Sequence, residues 1–211
     1  MAVKDSFYTE SEEKWNVITH FIGLIASLIA FPFLIYRSIN YSFLQGSSFI
    51  IYGISLILLY SASTFYHNSK NITVRRRLNI LDHISIYILI AGTYSPYLLV
   101  TLQGKTGWTL FTVVWGIALI GTILKLFFTG RFNLLSTILY VGMGWVIVSV
   151  IKTLLVNLDF LGVFWLFLGG IFYTIGAVIF MIKNIKFNHV IFHVFVLLGS
   201  LSHYISIYFY V

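Results

Sequence analysis

The chain has 211 residues, of which 59% are hydrophobic and 9% charged, where a soluble domain carries roughly 25% charged residues. That deficit cannot clothe a water-exposed surface, so a soluble globular protein is excluded. The formal charge is +7 and there is no cysteine. Disulfides and thiolate metal sites are therefore ruled out, and basic residues placed between apolar runs read as membrane topology, not as nucleic-acid binding.

The first fourteen residues are polar and acidic and lack the basic start of a cleaved signal, so the first apolar run is expected to remain as a span. A span needs about 20 residues. Apolar runs predict helices over 15–36, 48–66, 80–102, 108–128, 132–156, 161–182 and 189–210. The predicted fold is thus all-α: a polytopic seven-transmembrane helix bundle, one domain over 1–211 with a short polar segment 1–14. Pro32 and Pro96 fall inside spans, where neighbouring helices tolerate a kink. Gly142, Gly144, Gly169 and Gly170 are expected to allow close helix approach.

With this order, one side of the membrane holds Lys4, Lys14, Lys70, Arg75, Arg76, Arg77, Lys125, Arg131, Lys183 and Lys186, and the other holds Arg37, Lys105 and Lys152. The bias places the N-terminus in the cytoplasm and the C-terminus outside the cell. The run from Arg75 to Arg77 reads as a topology anchor against anionic headgroups.

Ionisable groups in or beside spans are costly and mark function. Glu13, Asn16 and His20 open the first span, His67 ends the second, Asp82 and His83 open the third, and His189 and His193 open the seventh. Oriented as above, all of these lie at the cytoplasmic ends. His189 and His193 are one turn apart and share a helix face. Two such nitrogens can bind one metal ion, and His67 could add a third from another helix. Three protein nitrogens leave a fourth tetrahedral position for water, as in catalytic zinc. Asp82 could orient that water, accept its proton or ligate the metal. Ser63, one turn before His67, either supports this site or packs helices. His83 points to another face and reads as interfacial. His203, roughly 15 Å deeper along its helix, reads as a hydrogen-bonding core residue.

The motifs E-K-W-N-V-I-T-H (13–20), S-T-F-Y-H (63–67), L-D (81–82) and H-V-I-F-H (189–193) resemble those of the hemolysin III family. That is the bacterial branch of the progestin and adiponectin receptor superfamily, more remotely similar to alkaline ceramidases. The resemblance implies a seven-helix bundle with a cytoplasm-facing Zn2+ held by His67, His189 and His193. It also implies that Asp82 holds the zinc-bound water, with Ser63 nearby. The family's relatives imply hydrolysis of lipid amides such as ceramide. The branch is named for red-cell lysis and is linked with membrane-lipid homeostasis.

The expected function is a ceramidase-like, zinc-dependent hydrolase of a membrane lipid amide or ester, with Asp82 and Ser63 as catalytic residues. Membrane lipids, including the substrate, are the expected partners, and the cell (plasma) membrane the location. Two alternatives stand beside it: a non-catalytic receptor or regulator with a structural zinc site, and a cytolytic pore. A pore calls for a polar stripe along a span, and the spans are uniformly apolar. A transporter calls for ionisable groups near mid-membrane, where His203 is the sole candidate.

Overall fold

The computed structural model describes residues 8–211; Lys4 lies outside them. Among the described residues the chain is all-helical and has no strand. The α-helices are α1 (Glu10–Ser38), α2 (Phe43–Asn68), α3 (Ile72–Pro96), α4 (Gly104–Phe128), α5 (Asn133–Gly144), α6 (Ile151–Asn157), α7 (Phe160–Met181) and α8 (Asn188–Tyr210). A π-helical turn, Tyr97–Leu102, prolongs α3, and a 3₁₀ segment, Val146–Val150, joins α5 to α6. Seven segments are long and apolar enough to cross a membrane, with α5, the 3₁₀ segment and α6 forming the fifth.

Helix starts follow local chemistry. Thr9 and Glu12 form a capping box at α1, each side chain accepting from the other's backbone amide. Ser42, Asn71 and Asp159 cap α2, α3 and α7. The Asn71 cap starts α3 eight residues before the predicted span, so Arg75, Arg76 and Arg77 lie in the first turns of a helix and not in a loop.

The helix α1 packs on α2 and α8, α2 on α3, α3 on α4, and α7 on α8, while α5 touches α3 and α7. The third span is the inside of the bundle, with 78% of its most apolar stretch buried, against 11% for the fifth. Outward faces carry Ile29, Leu119, Phe127, Val156 and Phe160, a surface suited to lipid and not to water. Lys125 lies in the last turn of α4, inside the predicted span, and is 4% exposed.

The fifth span is predicted as one helix but is broken after Gly144. The Tyr94 hydroxyl from α3 accepts from the Ile147 amide at 3.0 Å and donates to the Gly144 carbonyl at 2.7 Å. A side chain thus satisfies backbone groups that the interrupted ladder leaves open. The glycines divide likewise. A Cβ on Gly169 would meet His203 at 2.2 Å, so that contact is close as expected. Gly142 and Gly144 have nothing within 4 Å of that position, and at Gly170 the nearest contact is Trp145 at 3.5 Å.

Candidate metal centre

His67 lies in the last turn of α2, and His189 and His193 in the first turns of α8. Phe187, in the left-handed region with φ 57°, turns the chain into α8. The Asn188 side chain donates to the Phe180 and Ile182 carbonyls at 2.9 and 3.3 Å, tying the end of α7 to this start. Because α1 packs on both α2 and α8, the two histidine-bearing ends meet beside it. His189 and His193 have ring centroids 4.5 Å apart, and His67 is 4.9 and 5.2 Å from them. One ligand nitrogen from each of the three falls within 4.8 Å of the others, a spacing that could hold a metal ion.

Each ring is held from outside through Nδ1. His67 Nδ1 lies 2.7 Å from the Glu13 carboxylate. Glu13 is an ion-pair partner of Arg75, whose guanidinium also donates to the Tyr66, His67 and Ser69 carbonyls at the end of α2. His193 Nδ1 lies 3.2 Å from Thr19 Oγ1, and His189 Nδ1 is hydrogen-bonded to the Tyr8 hydroxyl. Burial pushes the Tyr8 phenol up, and the neighbouring Tyr66, Glu13 and Asp82 push it further. It therefore stays protonated at neutral pH. With Nδ1 engaged on all three rings, Nε2 is left for a metal, the arrangement in which outer partners orient metal-binding histidines.

The residues fit a metal on a second ground. His67 Nε2 is buried without a hydrogen-bond partner, as are both ring nitrogens of His20, both amide atoms of Asn16, Ser63 Oγ and Thr64 Oγ1. Buried polar atoms are nearly always paired. The unpaired nitrogens of His67, and of His20 stacked on His193, leave polar atoms free beside three rings that could hold an ion. Asp82 is partly buried, within electrostatic range of His67, with the Ser63 hydroxyl as its polar neighbour. Ser63 is 1% exposed and approaches the carboxylate without hydrogen-bonding geometry.

His20 stacks on His193, centroids 3.5 Å apart with planes at 19°, and sits edge-on to Tyr60. His83 is partly buried, within electrostatic range of Lys125 and His189, and is not one of the three histidines that converge. His203 bonds the Leu166 carbonyl through Nε2 at 3.0 Å, as a core hydrogen-bonder should. The partners of the rings were not assigned from sequence. Glu13 and Thr19 stand in the opening motif with no histidine assigned to either, Arg75 reads as a headgroup anchor, and Tyr8 carries no signal. A carboxylate at the mouth of the first span, in a chain with only six acids, is the one clue available for Glu13.

Comparison with known proteins gives a consistent answer. The family model described as "Haemolysin-III related" matches residues 8–204. The chain is 45% identical over 204 residues to "Hemolysin-3 homolog" of Bacillus subtilis, covering 96% of each chain. It is 44% identical over 201 residues to "Hemolysin-3" of Bacillus cereus, covering 95% of this chain and 92% of that one. A human relative, "Monocyte to macrophage differentiation factor", is 30% identical over 163 residues, or 74% of this chain and 67% of that one. No solved structure matches. The family match opens at Tyr8, which touches His189, and runs into α8 past both of its metal-site histidines; the chain belongs to the haemolysin-III family.

Proposed function

We propose that this protein is a zinc-dependent hydrolase of the cell membrane that cleaves an amide or ester bond in a membrane lipid and so serves lipid homeostasis, with its centre on the cytoplasmic side. The observation that carries the reading is the convergence of His67, His189 and His193, with Asp82 in electrostatic range of His67. His67, His189 and His193 would hold the metal through Nε2. Zinc in such a site supplies a Lewis acid for the lipid carbonyl and makes water nucleophilic near pH 7.

Asp82 then has a defined task. Its carboxylate takes the proton given up by the attacking water and returns it to the leaving nitrogen or oxygen. Ser63, buried one turn before His67, is the hydroxyl nearest at hand to that carboxylate. Burial of His67 and His193, at 3% and 1% exposure, keeps bulk water from the reacting bond. The excess of basic residues at this end of the bundle supports the cytoplasmic placement.

The same burial supports a second reading, in which a closed site merely staples α2 to α8 in a non-catalytic regulator. Metal content and turnover over a panel of lipid amides and esters decide between them. Hydrolysis by zinc-loaded wild type, loss of metal in His67→Ala and His193→Ala, and loss of turnover with metal retained in Asp82→Asn are the expected results. Zinc-loaded wild type that hydrolyses nothing in the panel would favour the staple.

A further inference from the structure

One element touches every imidazole of the centre and carries none of them. Over residues 8–20, Tyr8 meets His189, Glu13 meets His67, and Thr19 and His20 meet His193. We propose that this amino-terminal stretch of α1 is a positioning clamp that sets all three rings with Nε2 inward, an inference that rests on the metal-centre reading above.

The chemistry of each contact gives the direction. A neutral imidazole carries its proton on either nitrogen, and the partner of one nitrogen decides which. A carboxylate can only accept, so Glu13 fixes the His67 proton on Nδ1. The Thr19 hydroxyl donates its single proton to the Trp15 and Asn16 carbonyls at 2.9 and 3.0 Å. Toward His193 it can therefore only accept, and it too holds a proton on Nδ1. The Tyr8 hydroxyl bonds His189 at Nδ1 and so occupies that nitrogen, which turns Nε2 of the third ring inward. His20 stacked on His193 limits rotation of that ring.

The clamp is anchored to both histidine-bearing helices. Arg75 joins Glu13 to the final carbonyls of α2. Glu12 accepts from the Phe187 amide at 3.3 Å, on the residue that turns the chain into α8. The first turns of α1 thus bridge the two helices whose histidines must meet, and register between α2 and α8 is set by a third helix.

The test is zinc affinity, measured by competition with a chromogenic chelator on full-length protein in detergent. The Co2+ absorption spectrum and the thermal stability of the metal-free form are measured beside it. Tyr8→Phe, Glu13→Gln and Thr19→Val are compared with wild type. Each is expected to weaken zinc binding by about 10- to 100-fold, beyond any change in metal-free stability, and Glu13→Gln and Thr19→Val are expected to alter the Co2+ spectrum. If Glu13→Gln fails to fold, Tyr8→Phe and Thr19→Val, which remove one hydroxyl each, carry the test. Affinity unchanged within error in at least two of the variants, or falling only as the metal-free form unfolds, would overturn the clamp. A wild-type protein that binds no zinc would instead remove the metal-centre reading, a different and separable result.

Discussion

The Tyr94 hydroxyl accepts a hydrogen bond from the Ile147 amide at 3.0 Å. With its donation to the Gly144 carbonyl, it closes the break between α5 and the 3₁₀ segment. A backbone group left open in the bilayer core has no water to turn to. Tyr94→Phe removes both contacts while keeping the ring. It is expected to cost about 1–3 kcal/mol, seen as a lower Tm when helicity is followed in detergent. Metal content should not change, because Tyr94 lies roughly 18 Å along α3 from Asp82. A Tm equal to wild type would mean that the break is satisfied by other groups.

Arg75 and Arg77 separate a folded role from a topological one. Arg75 bridges Glu13 and the end of α2, whereas Arg77 is exposed. Hydrogen bonds to charged groups contribute about 1.5–3 kcal/mol, so Arg75→Gln should lower stability by that order. Arg77→Gln should stay within about 0.5 kcal/mol of wild type, as for other surface changes. Denaturant titration of the two variants side by side reads the difference. Equal effects would return Arg75 to the status of a headgroup contact.

The sequence made seven spans and the meeting of three distant histidines legible, because both rest on strong signals. Apolar runs near the width of a bilayer mark the spans, and the alternating direction of successive spans decides which ends share a side. Less was legible where the outcome depends on one tertiary contact. The break after Gly144 has no Pro, and its cause, Tyr94, is 50 positions away in sequence. Glu13, Thr19 and Tyr8 reach their histidines only because α1 lies between α2 and α8, a packing order that no local pattern encodes. Lys125 counts among the basic residues of one membrane side, and charge alone does not reveal that it is buried in α4, the helix that packs on α3.

Gly23 and Gly142 should respond in opposite ways to the same substitution. A Cβ on Gly23 would sit 2.4 Å from the Tyr60 ring, which packs edge-on against His20 beside the centre. Gly23→Ala is therefore overpacked and expected to cost about 1–3 kcal/mol, with weaker metal retention as Tyr60 and His20 shift. Gly142 has open space around that position within α5. Gly142→Ala should be neutral or stabilising by up to about 1 kcal/mol, from the lower chain entropy of alanine in a helix. Thermal melts with metal analysis on the same samples check both, and a destabilised Gly142→Ala would show that α5 needs its glycine for reasons of backbone shape.

The side of the membrane that carries the centre determines which leaflet can present a substrate headgroup to Asp82. The chain has no cysteine, so single introduced thiols report orientation without background. Asn184 lies between α7 and α8 at the histidine end, and Thr106 lies in the first turn of α4 at the opposite end; both are exposed and uncharged. Substituting them leaves the distribution of basic residues intact, so the signal that sets orientation is not disturbed. With the histidine end in the cytoplasm, a membrane-impermeant thiol reagent should label Thr106→Cys on intact cells and label Asn184→Cys only after permeabilisation. The reverse pattern would place the three histidines at the outer leaflet. The substrate would then have to be sought among lipids of that leaflet, because a carboxylate fixed on α3 cannot reach a bond some 30 Å away across the hydrocarbon core.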